Sequence, residues 1–103
     1  MSVIESDLRA AIEGRRVVRL GYNGDSGPER TVHPHALFKA ETGNLCLDSY
    51  QVDGYTTRGV LPQWRMFTVE KVTSIEVLDE RFTVAPGWNP NAKRYRDGLV
   101  ARV

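Results

Sequence analysis

The chain has 103 residues, 41% of them hydrophobic, and a formal charge of +1. That length supports one domain with a single modest core, and no apolar run approaches the ~20 residues that span a bilayer. One cysteine excludes an internal disulfide and a cysteine-built zinc site, which suits the cytoplasm. The near-zero charge gives no general case for nucleic-acid binding, although Lys93, Arg94, Arg96 and Arg102 stand against Asp97 near the C-terminus.

In chain order, Ser2-Val3-Ile4-Glu5 fits a capping box, and the acidic residues nearby argue against a signal or transit peptide. Ile4, Leu8, Ala11 and Ile12 recur at helical spacing, and Gly14 stands where a C-cap glycine belongs. One helix of about three turns is expected, covering an open end or edge of the rest. A single short helix makes no helix-turn-helix, so this chain alone is not expected to read duplex DNA.

Arg16–Tyr22 alternates as a strand, with Val18, Leu20 and Tyr22 on one face, and Asn23-Gly24 followed by residues 25–28 forms a polar turn. A second strand spans about Glu29–Lys39. Pro34 has no N–H for a ladder, so this strand is bent, bulged or at an edge there, with His33 and His35 on one side. After the turn at 40–44, Leu45, Leu47 and Ser49 alternate with Cys46, Asp48 and Tyr50. A long loop, Val52–Gln63, then leads to a strand in which Arg65, Phe67 and Val69 share one face and Trp64, Met66 and Thr68 the other.

A break at Glu70-Lys71 precedes a fifth strand running to Val77, after which come Leu78-Asp79-Glu80-Arg81-Phe82. The rest reads as turns, with a weak alternation at Leu99, Ala101 and Val103 that fits an edge strand or a frayed end equally well. The predicted fold is mainly β: a small five-stranded SH3-like or Sm-like barrel with an N-terminal helix, residues 1–83, and an irregular tail, residues 84–103, packed on the barrel or partly disordered.

Two histidines fall short of the three or four ligands that zinc needs, so hydrogen-bonded structural or rim histidines are the better reading of His33 and His35. Cys46, mid-strand beside leucines, reads as a small buried hydrophobe, and no nucleophile-elbow signature accompanies the serines. Neither an enzyme nor a cofactor is expected. A loop as long as Val52–Gln63 in so small a domain either binds something or is a mobile surface loop. Arg30, Gln51, Arg58, Trp64 and Arg65, with Tyr50, are placed to gather near its base, offering ring faces for stacking and guanidinium groups for phosphate or carboxylate. Trp88, in the Trp88-Asn89-Pro90-Asn91 turn, reads as a clamp laid on the barrel, and Lys93-Arg94-Tyr95-Arg96 as solvated tail.

The chain resembles the WYL domain, a bacterial module named for a Trp-Tyr-Leu step, which reads Leu45-Cys46-Leu47 here. A later family signature corresponds to Arg65-Met66-Phe67-Thr68-Val69-Glu70-Lys71-Val72, and Val77–Phe82 resembles the closing segment. Short stand-alone WYL-like proteins share Tyr22-Asn23-Gly24, Arg30 before Pro34-His35, Tyr50-Gln51 with Gly54, Trp64-Arg65 with Phe67, and Asn89-Pro90-Asn91.

The resemblance implies an Sm-like barrel that senses ligands, often nucleotides or single-stranded nucleic acid, and regulates transcription or phage defence. Cys46 stands at the family's tyrosine, and Thr68 and Lys71 at its two ligand-contacting arginines. The expectation is therefore a cytoplasmic, non-enzymatic module that binds an anionic ligand through Arg30, His35, Gln51, Arg58, Trp64 and Arg65. The alternative is a protein-interaction or homodimerisation module using the barrel edge and the 52–63 loop.

Overall fold

The computed structural model describes residues 3–24, 29–56 and 59–103. The expected serine cap at Ser2, the turn at 25–28 and the loop residue Arg58 lie outside them.

Helix α1, Val3–Gly14, buries Leu8, Ala11 and Ile12, the stripe that the 3.6-residue period marks out. The left-handed residue that ends it is Arg15 (φ 53°) rather than Gly14. The Arg15 amide donates to the Ile12 carbonyl (3.2 Å), and this turn delivers the chain directly into β1.

Among the described residues six strands follow: β1 Arg16–Tyr22, β2 Arg30–Lys39, β3 Leu45–Asp53, β4 Gln63–Thr68, β5 Val72–Arg81 and β6 Leu99–Arg102. They form one antiparallel sheet of order β4-β3-β2-β1-β5, with β6 added against β2. The break at Glu70-Lys71 is a 3-10 turn, Val69–Lys71.

Strand β2 organises the sheet. Along one edge it pairs with β3 throughout. Along the other it pairs first with β1 (Leu20 opposite Arg30) and then with β6 (Leu37 opposite Ala101). The register shift between Pro34 and Ala36 is the irregularity that proline demands in an interior strand, so the bulged alternative is the one adopted.

The expectation of five strands is corrected to six, because the weak alternation at the C-terminus finds the free half of β2. Strands β4 and β5 end the sheet and do not pair, so the sheet is open. Single bonds tie the end of β1 to β4 and to the 3-10 turn, from the Thr68 amide to the Tyr22 hydroxyl (2.9 Å) and from the Asn23 amide to the Lys71 carbonyl (2.8 Å).

Both faces of the sheet are covered. On the inner face α1 packs on Val18, Leu20, Val32, Leu37, Leu47 and Phe67. On the outer face residues 82–95 cross as a strap, and Tyr95 joins Ala36, Phe38 and Cys46 in a second, smaller core with Trp88 packed against it. Tyr95 meets Phe38 edge-to-face, with ring centroids 5.1 Å apart.

Candidate ligand cleft

Strand alternation decides where the predicted residues go. Ser49 opposes Arg65 and Tyr50 opposes Trp64 in the β3–β4 pair, so Arg65 turns with Phe67 to the inner face while Trp64 and Met66 turn out. The predicted 52–63 loop is narrower than expected, since Val52 and Asp53 belong to β3 and Gln63 to β4. Of the six residues, Arg30, Gln51 and Arg65 belong to the inner face at the foot of this loop, and His35 and Trp64 to the outer face. Arg58 lies outside the described residues.

The inner group holds the loop. Gln51 is fully buried, and its amide Nε2 donates to the carbonyls of Asp53 (3.2 Å) and Tyr55 (2.8 Å). The Arg30 side chain is nearly buried, with its guanidinium carbon 5.3 Å from the centroids of Tyr22 and Tyr55 and 5.5 Å from that of Phe67. Rings on this scale attract a guanidinium through their quadrupoles. Arg65 donates from Nη2 to the Thr56 hydroxyl, a second tie between β4 and the loop. Gly54, at φ 96°, lies so close to the neighbouring chain that a Cβ there would sit 2.1 Å from the Glu29 carbonyl oxygen.

The outer group forms a cleft of about 450 Å³ between β4 and the strap. Asp48, Trp64, Arg65, Met66, Trp88 and Arg94 are among its lining residues. The indoles of Trp64 and Trp88 lie 23° from parallel, with centroids 6.2 Å apart. Trp64 Nε1 donates to the Pro86 carbonyl (2.9 Å), and the His35 ring backs both indoles at 4.8 and 5.5 Å. A neighbouring cleft of about 730 Å³, which includes Lys39, Lys93 and Asp97 in its lining, shares Met66 and Arg94 with the first. Met66, 60% exposed, stands between them.

Sequence reasoning missed the cleft's anchored cation. Asp48 is buried on β3, and its Oδ2 accepts from Arg94 Nε (2.7 Å) and from the Tyr95 hydroxyl. Burial, together with the bond to the Asp48 carboxylate, pushes the Tyr95 phenol well above its ordinary range. Burial works against the Arg94 cation, but the adjacent carboxylate outweighs it, and its pKa rises. Both side chains are thereby fixed in place, the phenol protonated and the guanidinium charged.

His33 and His35 do share a side, and each is engaged. His33 stacks on Phe82 (4.9 Å, 9°), and burial lowers its pKa against the pull of Glu80. His35 is bonded to backbone through both ring nitrogens. Cys46 is buried, as expected, and burial raises its thiol pKa. Among the described residues no three His, Cys, Asp or Glu side chains gather to hold a metal ion, and no helix is long and apolar enough to cross a membrane.

The family model for the WYL domain matches residues 4–77, so the chain belongs to the WYL domain family. Among solved structures it is similar to proteasome accessory factor B/C (PafBC) of Arthrobacter aurescens, at 28% identity and a TM-score of 0.64. That match covers 84% of this chain and only 13% of PafBC. No curated protein matches the chain.

Proposed function

We propose that this chain is a non-catalytic, cytoplasmic WYL-type module that binds an anionic ligand carrying a planar base, a nucleotide or a short single-stranded nucleic acid, in a transcription-regulating role. The observation that carries this reading is the cleft in which two nearly parallel indoles stand beside Arg94, a guanidinium held by a buried carboxylate. Indole faces accept any base by stacking, and guanidinium groups suit phosphate. A volume of about 450 Å³ suits a ligand of nucleotide size.

Trp64 stacks on the base beside the Arg94 guanidinium, and on the opposite face Arg65 ties β4 to the loop through the Thr56 hydroxyl. Gln51 and Arg30 set the foot of that loop, and His35 backs the indoles. The fold reading that goes with this is an SH3-like or Sm-like barrel opened at the β4–β5 seam, with residues 1–83 as the WYL-like unit and 84–103 as the segment packed on it.

The test is a titration with short single-stranded DNA and RNA and with a panel of nucleotides, at rising salt. Binding is expected to saturate and to weaken with salt. Trp64→Ala is expected to cost about 1–3 kcal/mol of binding, the usual worth of one base–aromatic stack. No saturable binding, or binding indifferent to Trp64→Ala and Arg94→Ala, overturns the reading.

A second reading, a homodimer or other protein partner docked along β4, is favoured by that strand's place at the end of the sheet and by exposed Met66. Light scattering over a concentration series separates the two.

A further inference from the structure

The hydrogen bonds around His35 fix its protonation state. The ring is fully buried. The Ala85 amide donates to Nε2 at 3.0 Å, so Nε2 is a bare acceptor. Nδ1 lies 2.7 Å from the His33 carbonyl oxygen, which only accepts, so Nδ1 carries the hydrogen. The imidazole is neutral with both nitrogens in use, and a second proton would have to enter at Nε2, directly against the Ala85 N–H.

Ala85 opens the part of the strap that walls the cleft. Pro86 next to it takes the Trp64 indole N–H, and Gly87 and Trp88 line the cleft itself. One lone pair on β2 therefore fastens the strap at the point where it becomes the ligand's wall.

We infer that His35 is a proton-operated positioning residue: the neutral ring fastens the strap at Ala85 and sets the cleft, and protonation at Nε2 undoes the fastening and lowers ligand affinity. The inference rests on the ligand reading of the cleft and names the regulation of that site.

Burial of the ring opposes a cation, and the bond from Nδ1 to the His33 carbonyl favours one. Among the charges that face it, the His33 ring on β2 and Arg15 at the end of α1 oppose a cation, and Asp48 on β3 favours one. Asp48 is already committed to Arg94 and Tyr95, and Glu80 of β5 acts on His33 rather than on His35. Burial is the largest influence, and the net result is a lowered pKa. With the folded value below the ordinary 6.5, the fastened state is favoured above that pH and lost as pH falls through the lowered value.

The experiment has two arms. In the first, the imidazole nitrogens and the Ala85 amide of the ligand-free chain are followed by NMR from about pH 8 to about pH 5, the range in which histidine titrates. The Nδ1–H tautomer is expected at the upper end, with the Ala85 amide shifting in step with His35 protonation. The opposite tautomer, or an Ala85 amide that ignores the ring, overturns the inference.

In the second arm, affinity for a short single-stranded DNA, whose phosphodiesters do not titrate here, is measured over the same range at constant ionic strength. The expected result is weakening as pH falls, by at most about tenfold per pH unit for one proton, retained in His33→Gln and abolished in His35→Gln. General gain of positive charge would strengthen DNA binding on acidification, so a rise in affinity overturns the inference. Should His35→Gln not fold, the NMR arm on the unaltered chain still decides. No DNA binding at any pH beside a coupled NMR transition removes the ligand reading and supports the fastening.

Discussion

At the scale of single residues the outer face depends on Asp48, a buried carboxylate whose two donors both come from the strap. Replacing Tyr95 with phenylalanine keeps the ring against Phe38 and removes one of those donors. Leaving a buried polar group short of a partner costs about 1–3 kcal/mol, so Tyr95→Phe is expected to lower the thermal midpoint measurably. Arg94→Ala is expected to cost less stability, because that side chain is half exposed and solvent screens its pairing. Circular dichroism melts of the two variants check the ranking. None of this was legible in the sequence: Asp48 and Tyr95 are 47 positions apart, and a Lys-Arg-Tyr-Arg run looks like solvated tail until a strand beneath it presents an acid. The opposite sides of Trp64 and Arg65 were legible, because alternation along a strand is a purely local property. The expected gathering of both with His35 and Gln51 near one loop base does not form: the same alternation sends Trp64 to the outer face with His35, and Arg65 to the inner face with Gln51.

Among the elements, the turns carry the tightest tolerances. A Cβ on Gly54 would lie 2.1 Å from the Glu29 carbonyl oxygen, and the residue sits at φ 96°, where side chains are strained. Gly54→Ala is expected to shift the 52–63 loop off β2 and to lower stability by at least the ~1–3 kcal/mol of such strain, read from chemical denaturation. At Gly98 a Cβ would lie 2.3 Å from the Lys39 carbonyl oxygen, and the Lys39 amide donates to Gly98 itself (2.8 Å). Gly98→Ala is expected to detach β6, seen as faster hydrogen exchange at the Lys39 amide with little change along the β1–β5 pair. Strands β1 to β5 announced themselves through alternation and turn chemistry. Strand β6 did not, because four residues of weak pattern carry too little local preference to outweigh fraying without their partner. The helix stop was displaced by one residue for a similar reason: Arg15, which a side chain normally disfavours at positive φ, is held there by the strand that begins immediately after it.

For the molecule as a whole, the sheet lies between two apolar layers, one supplied by α1 and the other by the strap that follows β5. A chain ending after Thr83 would lose Tyr95 and Trp88 from the outer core and Ala101 from the inner one. The expected outcome is a poorly dispersed NMR spectrum and exposed apolar surface at Phe38 and Cys46, measurable by dye binding. Retention of a sharp, native-like spectrum would show that the strap is an accessory. Overall class and most of the strand order were readable from periodicity. Closure was not, since pairing between the two ends of a sheet depends on how far each strand coils.

Strand β2 changes neighbours halfway along, and this bears on how the protein is made. The Ala36–Phe38 stretch can complete its ladder only with residues near position 100, so some sixty further residues must be synthesised after Phe38 before that edge is satisfied (roughly the separation of the paired positions). Until then the ribosome holds out a half-dressed central strand. Assembly is therefore a late, concerted event rather than a steady accretion, and newly made copies are most vulnerable to clumping in the moments before β6 emerges.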